Sequence, residues 1–295
     1  MTTGENLKKK AGIIDKAENK LLDGIKTGEK AVFNKVLSIL RKLSQKEGKL
    51  TKETINNKFL SSLTAKVLKV IRKSTLQKKI IEFLPNFETI EALNSDLYKG
   101  ITGTAFDKVI RSEISAYRRI TIDNIVDNLI GEKQLKGSYI NPIRDIIFKG
   151  VALKSNVKNV EKELSDYIVG NKTKAGQFTR YVKQIATDAI NQHDGAINDI
   201  ARDAYQLDGF RYVGSLIKTS RDNCEHLVNS TGKLKQFEVR KGLYKVEDIP
   251  AIIRVLDKGK GSGWNDATTP ETFAQYRGGY NCRHQIIYLP LPPED

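Results

Sequence analysis

Apolar residues recur every three to four positions through the first two-thirds of this 295-residue chain, and the recurrence stops at Gly209. That period puts the apolar side chains on one face of a helix, so it restricts most of the chain to amphipathic helices packed by their stripes. Ile14, Ala17, Leu21 and Ile25 trace one stripe, and Val32, Val36, Ile39 and Leu43 a second beyond Gly28. Ile55, Phe59, Leu63, Val67 and Ile71 trace a third, opened by Thr51 as N-cap with Glu53 in its first turn after Gly48, and closed by Pro85. Gly103 or Thr104 opens another helix, which carries Phe106, Ile110, Ile114, Tyr117 and Ile120 to about Leu129. Asn141-Pro142 reads as a cap with proline at the first helical position. Ser155 opens the next helix, through Val160 and Leu164 to Ile168, and a long helix runs from Phe178 to Ala204. His193 falls on a polar stretch of it and reads as a surface residue.

After Gly209 the texture changes. Residues 210–217 read as a strand, and Gln285-Ile286-Ile287-Tyr288-Leu289 as another. Between them Gly232, Gly242, the run from Gly259 to Trp264 and Gly278-Gly279 mark a loop-rich excursion with one helix near Glu247–Leu256. The expected fold class is mainly α: an elongated multi-helix N-terminal region with a small α+β, loop-rich C-terminal domain. Residues 1–100 form a basic helical region, 101–209 a helical region ending in the long helix, and 210–295 the small domain.

That small domain holds both cysteines and two of the three histidines, in two copies of one pattern: Asn223-Cys224-Glu225-His226 and Asn281-Cys282-Arg283-His284. Thiolate and neutral imidazole suit Zn²⁺, and four such groups from two segments would make a closed structural Cys₂His₂ shell of Cys224, His226, Cys282 and His284. A Cys-x-His bite of this kind works where the chain is extended and both side chains share a face. The same residues also read as a Cys224–Cys282 disulfide, as two reduced buried thiols with hydrogen-bonded histidines, or as a Cys-His nucleophile pair. A loop-rich excursion has little core of its own and needs a staple at its neck. Arg221 and Arg283 flank the cysteines and are expected to be structural, tying loops through planar hydrogen bonds.

The net charge of +15 is unevenly spread: residues 1–80 carry 20 Lys and Arg against 7 Asp and Glu, which leaves +2 for the rest. Clustered cations steer polyanions and gain from counterion release. The candidate contacts are Lys35, Arg41, Lys42, Lys46 and Lys49 on one helical face and Lys66, Lys69, Arg72 and Lys73 on another. Phe33 and Phe59 are the aromatics of this stretch and both fall on apolar stripes, so base stacking is not expected and binding to double-stranded DNA should be nonspecific. No stretch has the length and apolarity to span a bilayer, and the polar start lacks the pattern of a signal peptide. No catalytic constellation or small-molecule site is expected.

Residues 155–290 resemble the C-terminal part of the minor head, or head morphogenesis, proteins of tailed bacteriophages. The resemblance is carried by the long helix, then Thr219-Ser220-Arg221-Asp222-Asn223-Cys224 and Gly232, then Gly278-Gly279-Tyr280-Asn281-Cys282-Arg283-His284 before a final apolar strand. In many members the first segment reads Cys-x-x-Cys and the second ends Cys-Arg-Cys; here Leu227 and His284 stand at those positions. The resemblance implies a virion protein of the capsid interior, associated with the portal, assisting head assembly and contacting packaged DNA. The alternatives are a cytosolic nonspecific nucleic-acid-binding protein and a Cys/His or metal-dependent hydrolase.

Overall fold

The computed structural model describes residues 3–41, 45–46, 49–50, 57–256, 264, 266–279 and 282–293. Leu43, Gly48, Thr51, Glu53 and Ile55, assigned above to helix ends and stripes, and Lys42, assigned to the basic face, lie outside them. The fold is mainly α with a small four-stranded antiparallel sheet near the C-terminus.

The first helix, α1, runs unbroken over Thr3–Leu40, so Gly28 does not divide it. The reason is phase. Ile25 and Val32 are seven residues apart, which is two helical turns, and one in-phase stripe outweighs the roughly 1 kcal/mol that a helical glycine costs. The short hairpin β1 (Gln45–Lys46) and β2 (Lys49–Leu50) precedes α2 (Asn57–Lys73) and α3 (Thr75–Phe83). Helix α4 (Asn86–Thr102) starts directly after Pro85 and is absent from the sequence reading, although Phe87, Ile90, Leu93 and Leu97 keep helical spacing along its buried face. Helix α5 covers Lys108–Ile130. The short α6 (Glu132–Leu135) passes through a π-turn at Lys136–Ile140 into α7 (Asn141–Ala152). Asn141 therefore follows helical backbone instead of capping a free end; Ile140 before it has φ −80° and ψ −42°. Asn156, one residue beyond the expected Ser155, caps α8 (Val157–Ile168) by accepting from the Lys158 amide. The long α9 occupies Gln177–Tyr205.

Strand β3 (Gly209–Val213) is shorter than expected, because Gly214 to Ser220 leave the sheet. Helix α10 (Asp222–Asn229) and a 3₁₀ segment follow, then the hairpin β4 (Glu238–Arg240) and β5 (Leu243–Lys245). Helices α11 (Ile249–Leu256) and α12 (Phe273–Tyr276) lead to β6 (Gln285–Leu289). The strand order is β4-β5-β3-β6, with Tyr212 opposite Ile286 and Val213 opposite Gln285.

The chain forms two compact units that are not contiguous in sequence. One comprises Met1–Ile14, Asn86–Thr121 and Thr187–Asp295, and the other Asp15–Pro85 and Ile122–Ala186. The stretches 1–100 and 101–209 each contribute to both, while 210–295 falls wholly in the first. The second unit is packed around Ile25, Val36, Val67, Leu129, Ile143, Ile147, Leu164 and Val182, all buried. Within it Glu29 of α1 accepts from the amide and the hydroxyl of Thr179 at 2.7 and 2.8 Å, a carboxylate at the N-terminus of α9, where the helix dipole favours negative charge.

The first unit is held partly by polar groups. Lys10 and Asp194, both fully buried, pair at 2.6 Å, and Asn94 donates to the same carboxylate oxygen at 2.9 Å. His193 is fully buried, which corrects its assignment to the surface. Its Nε2 lies 3.0 Å from Glu91 Oε1, and its ring rests edge-on to Phe87 and stacked on Tyr117. The polar run Asn191, His193, Asp194 and Asn198 is a buried seam that apolar periodicity cannot register.

Asp199, on the same helix, accepts from the Tyr288 hydroxyl of β6 at 2.8 Å. Burial raises its pKa from 3.8 to about 6. A raised carboxyl pKa means that the folded state binds more protons, so this group lowers stability as pH rises from about 4 to 6. Asp199→Asn keeps an acceptor for Tyr288 and should be more stable than the wild type by about 2 kcal/mol at pH 7.5 but not at pH 4. Urea unfolding of both proteins at the two pH values checks this; an equal difference at both would exclude Asp199 as the titrating group.

Candidate metal centre and basic surface

The two Asn-Cys-x-His segments fold differently, and that decides which side chains meet. Residues 222–229 are α10, whose buried face carries Asn223, Cys224 and Leu227. Two residues along a helix is about 200° of rotation, so His226 points away from Cys224. It is half-buried, and its Nδ1 pairs with the Thr231 hydroxyl at 2.9 Å. Leu227, where a Cys-x-x-Cys segment would place its second thiol, is fully buried on the face of Cys224.

Residues 282–284 lead into β6 outside any helix; Cys282 and His284 are buried on the side of Ile286, and Arg283 is exposed. Because Ile286 faces Tyr212 across the sheet, Tyr212 shares that side. Cys224, Cys282 and His284 converge there, all buried, with their ligand atoms within 4.8 Å of one another. Three of the four residues expected to meet are thus brought together, and this cluster could hold a metal ion.

Cys282 Sγ is 3.6 Å from His284 Nδ1, and Tyr212 Oη is 3.3 Å from both Cys224 Sγ and Cys282 Sγ. The Tyr212 ring stacks on that of His284 with 5.3 Å between centroids. Both cysteines are free thiols. Cys282 is the first to ionise: a hydrogen bond from Cys224 holds its thiol well below the ordinary range, with His284, the Arg277 charge and Tyr212 adding to this against burial. The shared hydrogen bond and burial push Cys224 up. Burial, then the two cysteines, raise the Tyr212 hydroxyl well above its ordinary value. His284 Nε2 is buried without a hydrogen-bond partner among the described residues.

Two arginines and a glycine frame the cluster. Arg221, which starts α10, donates to the Gly278 carbonyl at 2.5 Å. Arg277 is almost fully buried and donates to the backbone carbonyls of Ala274 and Asn191 and to the Asn191 side chain. Arg283 is exposed. A Cβ on Gly278 would stand 2.5 Å from Cys282 Sγ, 2.7 Å from Cys224 Sγ and 2.9 Å from Tyr212 Oη, so only glycine fits against these atoms. Tyr212, Gly278 and Arg277 do not stand out in the sequence as site residues. The first reads as strand core, and the other two belong to a stretch whose burial is set by tertiary packing.

The basic residues behave differently. Lys66, Lys69 and Lys73 are exposed on α2, at spacings of three and four that keep them on one face. Arg41 and Arg72 pair with Glu161 at 3.2 Å and Glu132 at 2.7 Å, and Lys35 is half-buried. Lys46 and Lys49 oppose each other in the β1–β2 hairpin. Charge segregates by compact unit. Residues 15–85 and 122–186 carry 28 Lys and Arg against 14 Asp and Glu, a balance of +14, while the other unit carries 22 against 21. Lys154, Lys158, Lys172 and Lys174 are exposed cations of the basic unit that a linear count over residues 1–80 misses.

No helix among the described residues is long and apolar enough to cross a membrane. No family model matches the sequence, and no curated protein or solved structure matches it.

Proposed function

We propose that this chain is a minor head protein of the tailed-phage kind: a structural, non-catalytic component of the capsid interior near the portal that contacts packaged double-stranded DNA without reading its sequence. The observation that carries the nucleic-acid half of this reading is the segregation of charge, with a balance of +14 in one compact unit against +1 in the other. A surface of this kind gains binding energy from released counterions whatever the base sequence. The virion half is supported by the Arg221-x-x-Cys224 and Asn281-Cys282-Arg283-His284 pattern. In the C-terminal domain, Cys224, Cys282 and His284 hold a structural zinc, which ties α10 to the segment entering β6 and staples an excursion with little core of its own.

Replacing Lys66, Lys69 and Lys73 together by glutamate should weaken binding to unrelated duplexes alike and lower the slope of log affinity against log salt by about 3, one unit for each phosphate left without its lysine. Anisotropy titrations at several salt concentrations measure this. A slope equal to that of the wild type would place the polyanion-binding surface elsewhere. Immunoblotting of DNA-filled heads against the soluble fraction tests the virion assignment, and recovery only from the soluble fraction would favour a cytosolic nucleic-acid-binding protein.

A further inference from the structure

Tyr212 meets the cluster from the sheet, at equal distance from two sulfurs. A phenol has one proton and can donate it to one thiolate at a time, so equal spacing suits a corner of a coordination shell as well as it suits a hydrogen-bond donor. In a tetrahedral shell with Zn–S near 2.3 Å and Zn–N or Zn–O near 2.0–2.1 Å, neighbouring donor atoms stand roughly 3.3–3.8 Å apart. The two Tyr212–sulfur distances of 3.3 Å and the Cys282–His284 distance of 3.6 Å all have that length. Gly278 supplies the second condition. Any larger residue there would press its Cβ onto Cys224 Sγ, Cys282 Sγ and Tyr212 Oη, so glycine is what lets these three donors gather.

We propose that Tyr212 is the fourth ligand of the metal centre, completing a Cys₂HisTyr shell with Cys224, Cys282 and His284 in the place the sequence pattern gives to His226. The assignment rests on the metal reading above and goes beyond it by naming the donor set. Charge is consistent with it. Two thiolates and a phenolate bring −3 against the +2 of zinc, and the guanidiniums of Arg221, bonded to Gly278, and of buried Arg277 lie alongside to balance the remainder. On binding, both sulfurs and the Tyr212 oxygen coordinate as anions, any proton they still carry passing to solvent, and His284 coordinates as neutral imidazole.

The test uses the full chain, freed of metal by chelator and titrated with zinc while the ultraviolet difference spectrum is followed. One zinc should bind per chain, and a phenolate band should grow in step with it. Tyr212→Phe keeps the ring stacked on His284; it should lose the band and at least about a hundredfold in zinc affinity. His226→Ala should keep both. Zinc bound by the wild type without the phenolate band, or bound equally well by Tyr212→Phe, would overturn the assignment of Tyr212 and leave the metal centre standing. Failure of the wild type to bind zinc would remove the metal centre itself.

Discussion

Asp194→Ala should cost about 3–5 kcal/mol, measured by urea unfolding at pH 7, because it leaves the Lys10 ammonium buried without its counter-charge, beside the neutral Asn94 side-chain oxygen. An ion taken out of water is tolerated while its counter-charge is in place, and removing one member exposes the whole desolvation cost of the other. The double variant Lys10→Met/Asp194→Leu removes both charges and should recover most of the loss. A double variant as unstable as Asp194→Ala would show that the seam is held by something other than this pair. The pH dependence has a definite sign. Burial alone would raise the Asp194 pKa, but the charges of Lys10 and Arg277 and the hydrogen bonds from Lys10 and Asn94 bring it below the usual carboxylate value. Its contribution is therefore present above about pH 4 and lost as pH falls through the lower folded value.

The second large effect is expected at Gly195 of α9. Helix propensity alone predicts that Gly195→Ala gains about 1 kcal/mol. The structure predicts the opposite, because a Cβ there would meet the carbonyl group of Ala274, with the Ala274 carbonyl carbon at 2.6 Å and Gln275 Cα at 2.7 Å. These are backbone atoms and cannot swing aside. Separating the two segments should cost about 2–3 kcal/mol net. It should also disturb Arg277, which donates to both Asn191 and Ala274. A rise in the urea midpoint on Gly195→Ala would rule out the close approach.

Most of the long helices were legible because each buries a stripe with a period, although α4 was passed over despite Phe87, Ile90, Leu93 and Leu97. Ile25 and Val32 also carry the information that α1 continues through Gly28, but a glycine between two stripes reads more readily as a break. The buried seam left no such trace. Lys10 and Asp194 are 184 residues apart and polar, so nothing local distinguishes them from solvated residues. In the candidate metal centre, Cys224, Cys282 and His284 were legible as rare ligand types in a repeated pattern. His226 falls outside that cluster because the first pattern is helical, which turns it away from Cys224, whereas residues 282–284 lie outside any helix. The candidate fourth donor, Tyr212, becomes visible only through the register that sets β3 against β6.

The interleaving of the two units also fixes the order in which the chain can close as it leaves the ribosome. Every segment of the basic unit has been made once Ala186 emerges. The other unit cannot finish then, since residues 3–14 of α1 must wait for Asp194, and β3 must wait for β6. Domains fold as their residues become available, and pairings between distant parts of the chain come last. The half of the molecule that carries the positive charge can therefore be complete before either cysteine has been synthesised. A chain released short of Cys282 would keep its cationic surface but lack Cys282, His284 and the strand that pairs with β3.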